Sequence, residues 1–202
     1  QVFKITPDSP NAYFMPGADP GEGYAATNSQ LFGSTTAPSQ PPAPGQSNQG
    51  FVNNFDYTLG WESQKGTWTI KDGTVAQDIM GIYTPTMLPV LSTLAQQYAV
   101  CDHWYGSAPT ETLPNRAFAL AATSQGHMDD HTKSFTCPSI FGSLTTAGVP
   151  WAIYGYDAPP LTRHNFPDTT NAPESCFGEF ADFQRAASEG QLPAFVFLEP
   201  SW

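Results

Sequence analysis

The stretch Val100–Gly126, VCDHWYGSAPTETLPNRAFALAATSQG, decides how the rest of the chain is read. Residues 98–104 (YAVCDHW) are rich in aromatic and β-compatible side chains, and they stop at the small, polar loop 106–112, as a buried strand would. From Pro114 to Thr123 the chain is alanine-rich with a single charge, and Gly126 follows, which predicts a packed helix with Pro in its first turn. The expected order is therefore strand, loop, helix, with Thr112 at or near the helix N-cap. A hydroxyl at that position can simply satisfy an unpaired backbone N–H. It can also sit beside an anion such as phosphate, held by the free N–H groups and the helix dipole, and attack it.

The run Thr112-Leu113-Pro114-Asn115-Arg116, followed by an alanine-rich helix and T-S-x-G, resembles the phosphoesterase family of bacterial phospholipases C and related acid phosphatases, in the alkaline-phosphatase-like superfamily. The resemblance extends through WAIYGY at 151–156 and FVFLEP at 195–200, covering the chain from about Thr84 onward. It implies an α/β fold and hydrolysis of phosphate esters by a metal-activated Ser or Thr. Thr112 matches the nucleophile and would be a ligand of a divalent metal ion; Asn115 and Arg116 match the residues that follow it and would bind substrate, Asn115 alternatively orienting Thr112 or making a helix-end hydrogen bond. The family's Glu-Asn pair on an opening strand and its C-terminal Asp- and His-rich segments, which carry most of the metal ligands, have no counterpart here. The expectation is an interior piece of a larger phosphoesterase domain.

Charge restricts the partners. Eighteen acidic against seven basic residues give a net charge of −11, so the long-range field repels nucleic acid, while a small phosphate ester or phospholipid head group stays possible if a cation neutralises the site. No apolar run is long enough to span a bilayer. Cys101, Cys137 and Cys176 are too few and too widely spaced for a zinc site. One disulfide plus a free thiol suits a secreted or periplasmic protein; three thiols suit the cytoplasm.

Along the chain, residues 1–50 hold Pro or Gly at fourteen positions and show no sustained period, so they are expected to form an irregular loop or lid on a single domain, 1–202. Phe51, Val52, Phe55 and Leu59 predict a short helix before Gly60, with 61–69 irregular. A helix from Thr84 or Thr86 to Gln97 should turn Leu88, Leu91, Leu94, Ala95 and Tyr98 to the core. His127 and His131 could share a helical face and a metal, but no apolar period follows Gly126, and a loop is expected. Helices are predicted over 138–147 and 180–189, and strands over 99–104, 151–156 and 194–198.

Alternating strands and helices imply a doubly wound, mostly parallel sheet with helices on both faces. Ligands then sit beyond the carboxyl ends of the strands, which selects the loops 105–112, 157–164 and 199–202. His103, at a strand end, and His164, after the second strand, are the candidate proton-transfer residues. Asp102 is a candidate partner for Arg116, and Glu199 either faces the cleft or caps. The functional expectation is phosphoric ester hydrolysis through metal-bound Thr112 and a phospho-threonine. The alternative is a non-catalytic binding module that keeps the body and lacks the metal site.

Overall fold

A computed structural model describes residues 1–10, 12–13, 18–45, 47–67, 69–156 and 158–200. The chain divides into two compact units, Gln1–Thr110 and Glu111–Trp202.

In the first unit a two-residue strand β1 (Phe3–Lys4) pairs in parallel with β2 (Gly81–Ile82). Two helices lie between them, α1 (Tyr24–Phe32) and α2 (Phe51–Lys65). Residues 1–50 were expected to be irregular, yet α1 forms there and closes at Gly33 in the left-handed region, where glycine carries no Cβ penalty. Gly50 donates its N–H to the Gln30 carbonyl and lies so close to Ser29 that a side chain there would run into the Ser29 carbonyl. α2 continues through Gly60 to Lys65 rather than stopping before it, because one interior glycine costs a helix only about 1 kcal/mol; Phe55 beneath it is buried.

The third helix, α3 (Pro89–Gln97), starts later than expected, with Pro in its first turn. Its apolar side is not core: Leu91 is 64% and Tyr98 74% exposed. The strand expected over 99–104 is absent. A strand needs a hydrogen-bonded neighbour, and this segment pairs with none among the described residues; Val100, Trp104 and Tyr105 are exposed.

The second unit follows its sequence pattern closely. Helix α4 (Thr112–Ala121) leads to a loop at 122–138, then α5 (Ile140–Thr146), capped by the Ser139 hydroxyl, which accepts the Phe141 N–H. The strand β3 (Trp151–Gly155) is buried at every residue, as a central parallel strand must be. A 3₁₀ turn, Leu161–His164, and the short α6 (Pro167–Thr170) precede β4 (Phe177–Glu179), which the sequence reading missed. α7 (Phe180–Ser188) and β5 (Phe195–Glu199) complete the unit. The sheet order is β4-β3-β5, all parallel, with Ile153 opposite Phe177 on one side and Phe197 on the other.

Side chains alternate along β3, so its faces meet different helices. Trp151 and Ile153 pack with Phe141 of α5 in a core that also holds Ala117, Leu120, Phe135 and Phe166. Tyr154, on the opposite face, meets the Phe183 ring of α7 edge-on at 5.7 Å. The unit is thus α/β, with parallel strands and helices. The Phe141 ring is fully buried, 4.8 Å from Trp151 and near Phe195 and Phe197. Phe141→Ala should cost about 3–5 kcal/mol. Urea unfolding checks this; a loss below about 1 kcal/mol would mean that the core closes over the gap.

Candidate functional site

The N-terminus of α4 gathers the candidate residues. Its N-cap is Glu111, in an extended conformation and making no side-chain cap bond of its own, so Thr112 is the first helical residue rather than the cap. The Thr112 side chain is exposed, while Leu113 and Pro114 are buried. The capping anion comes from far along the chain: Asp130 Oδ1 accepts the Leu113 N–H at 2.7 Å. Glu111 Oε2 in turn accepts the Asp130 N–H at 2.5 Å, so the two loops hold each other. Asn115 donates from its amide to the Glu111 carbonyl at 3.1 Å, a bond that ties the first turn together.

One turn further on, Arg116 points into the unit. Its Nη1 lies 3.4 Å from Glu199 Oε1, with side-chain exposures of 12% and 1%. It also reaches the Thr162 hydroxyl at 3.5 Å, and its guanidinium stands 6.0 Å from the Phe197 ring centre. Burial pulls the Arg116 pKa below its ordinary value, against the opposing charges of Glu199 and then Asp130. Glu199, at the end of β5, caps as well as pairs: its carboxylate accepts the Leu161 and Thr162 N–H groups at 2.9 and 3.1 Å. The buried carboxylate on Arg116 is therefore Glu199. Asp102, the partner considered from sequence, is exposed and lies 2.7 Å from His103 Nδ1.

The structure thus brings Thr112, Asn115 and Arg116 onto one helix and joins that helix to the turn that carries His164. His164 itself is exposed at the end of that turn. His103, in the other unit, is exposed too, edge-on to Tyr105 at 6.3 Å. Asp157, Ser201 and Trp202, in two of the expected rim loops, lie outside the described residues. The HMDDH segment is a loop, as expected; His131 pairs with Asp129 at 3.1 Å and His127 packs edge-on against Phe135. Glu111, Asp130 and Thr162 were missed. In sequence, Asp130 stands only as part of HMDDH, a segment whose readable spacing is that of its two histidines.

The donor set for a cation is incomplete. Among the described residues no cluster of three or more His, Cys, Asp or Glu could hold a metal ion. Around Thr112 the described carboxylates are Glu111 and Asp130, each with one oxygen on a backbone N–H, which is fewer donors than a divalent ion takes.

An α/β unit with parallel strands and an exposed hydroxyl on the first turn of a helix is the class that fold and site define. The chain belongs to the phosphoesterase family, whose model matches residues 4–202. It is 30% identical over 188 residues to non-specific phospholipase C3 of Arabidopsis thaliana, covering 91% of this chain and 34% of that protein. It is 31% identical over 191 residues to non-specific phospholipase C4 of the same plant, at 91% and 33% coverage. Phospholipase C A of Mycobacterium tuberculosis strain H37Rv is 29% identical over 97 residues, at 43% and 19% coverage. The chain therefore spans about a third of the length of these plant relatives.

Two expectations follow from these contacts. Glu199→Ala removes the carboxylate from a buried guanidinium and from two backbone N–H groups, and it should cost about 3–5 kcal/mol by urea unfolding; a loss under about 1 kcal/mol would show that other groups or solvent take its place at Arg116. Beside His164, Arg163 forms two hydrogen bonds to the Glu174 carboxylate, which hold it below its ordinary carboxylate range. A depressed carboxylate adds stability above its unfolded pKa and loses it as pH falls through the folded one. Arg163→Gln should return the Glu174 titration, followed by carboxyl NMR, to the ordinary range; an unchanged midpoint would mean another group sets it.

Proposed function

We propose that this chain carries the nucleophile of a phosphoric ester hydrolase of the phospholipase C or acid phosphatase type, and that Thr112 is that nucleophile. The observation that carries the reading is the exposed Thr112 hydroxyl at the first helical position of α4, within T-x-P-N-R. Family membership and relatives named as phospholipases C support it. On this reading the sheet belongs to a doubly wound, alkaline-phosphatase-like domain.

In the reaction, Thr112 Oγ forms a bond to phosphorus as the bond to the leaving oxygen breaks in line. The Thr112 hydroxyl proton passes to solvent water, and the departing alkoxide takes a proton from protonated His164, which is reprotonated from solvent. Water then attacks the phospho-threonine, releasing phosphate or a phosphorylated head group and restoring the hydroxyl. Asn115 keeps the first turn closed. Arg116 stays on Glu199, one turn behind Thr112, and fixes the helix from within. A divalent cation, when bound, would lower the pKa of the attacking hydroxyl and offset phosphate charge.

A second reading, a binding module without turnover, is favoured by the incomplete donor set around Thr112. Thr112→Ala separates the two. The side chain is exposed and is not the cap, so stability should shift by no more than about 0.5 kcal/mol. Release of p-nitrophenol from p-nitrophenyl phosphorylcholine and from p-nitrophenyl phosphate should fall below detection. Undiminished turnover in that variant would rule out Thr112; a wild-type protein that binds phosphocholine without cleaving its ester would favour the module.

A further inference from the structure

Glu111 and Asp130, nineteen residues apart, hold each other through backbone rather than through charge. Asp130 Oδ1 takes the Leu113 N–H at 2.7 Å, and Glu111 Oε2 takes the Asp130 N–H at 2.5 Å. Together with the chain from Glu111 to Leu113 these bonds close a ring, and Thr112 is the residue inside it. A neutral Ser, Thr or Asn at the N-cap could have satisfied the same N–H. Instead the cap comes from another loop, beside a second carboxylate. Asp130 also acts on the Arg116 guanidinium through its charge, as Glu199 does.

We infer that Asp130 is a positioning residue for the proposed reaction: by gripping the Leu113 amide it fixes the backbone on the C-terminal side of Thr112 and so the direction of the Thr112 hydroxyl. Thr has two heavy atoms on Cβ, so its χ1 follows the backbone in a few discrete wells, and a fixed backbone aims the oxygen. The inference rests on Thr112 being the nucleophile. Asp130 need not touch substrate for it to hold.

The test compares Asp130→Ala with Asp130→Asn in the whole protein, reading hydrolysis of p-nitrophenyl phosphorylcholine and hydrogen exchange at the Leu113 amide. Asn keeps an acceptor oxygen and removes the charge; Ala removes both. Asp130→Ala should lower kcat about 100-fold, the scale of a misplaced reacting atom, while KM stays within about twofold. Exchange at Leu113 should quicken at least about tenfold in the same variant, because that amide loses its partner. Asp130→Asn should recover most of both. Unchanged kcat or unchanged Leu113 exchange in Asp130→Ala overturns the inference, and so does an Asn variant as impaired as the Ala one, since charge rather than the hydrogen bond would then matter. An inert wild-type protein would instead defeat the hydrolase reading and the role in catalysis with it; the exchange measurement still decides whether Asp130 holds the Leu113 amide.

Discussion

The Glu199 carboxylate is the constraint around which the second unit is arranged. A carboxylate at 1% side-chain exposure needs partners, and those of Glu199 include the guanidinium of Arg116 and the backbone N–H groups of Leu161 and Thr162. Those partners come from α4, from the turn that follows β3, and Glu199 itself ends β5. One buried charge therefore fixes three chain segments at the carboxyl end of the sheet. Replacing such a group with well-packed apolar side chains is often neutral for stability, so its value here lies in registration. Each hydrogen bond has one geometry, whereas an apolar contact would let the turn and the helix slide.

That registration ties Arg116 down as well. From sequence, Arg116, four residues after Thr112, reads as a phosphate ligand or as the partner of a core carboxylate. In the fold it stands one turn inside the helix with its charge spent on Glu199 and its face toward Phe197. Asn115 likewise turns back to the Glu111 carbonyl. Thr112 alone of the three presents its side chain to solvent. Within T-x-P-N-R, Asn115 and Arg116 thus build and anchor the helix start, and Thr112 is the residue left exposed at its first position.

What could be read from sequence was what local pattern determines. The strand WAIYG, the helix closed by Gly148, the amphipathic α7 and the last strand all appear within a residue or two of expectation, because periodicity and glycine stops act over short distances. The segment YAVCDHW had the composition of a strand but lacks a neighbour to pair with, and pairing is a non-local property that composition does not carry. The same holds for the apolar stripe of α3, whose spacing was right and whose burial was not. β4, three residues with a central glycine, is too short to register as a pattern. At the site, a helix beginning near Thr112 was legible, whereas the Asp130 cap and the Glu199 pair join residues 17 and 83 positions apart in the sequence and leave no spacing signal.

Those two long-range carboxylates change what a phosphate would meet at Thr112. A free helix N-terminus carries roughly half a positive charge and welcomes an anion. Here the Leu113 N–H already faces Asp130, and Glu111 accepts the Asp130 N–H, so one of the helix's free N–H groups is taken by a carboxylate. The nearest guanidinium is turned inward to Glu199. A phosphoryl group approaching Thr112 would therefore face like charge from two carboxylates within a chain of net charge −11. Arg116, whose guanidinium feels Asp130 as well as Glu199, is the positive charge the described residues bring near this loop, and it is paired with Glu199. On the proposed reading of Thr112 as nucleophile, a divalent cation would add the counter-charge that a phosphate beside these carboxylates calls for.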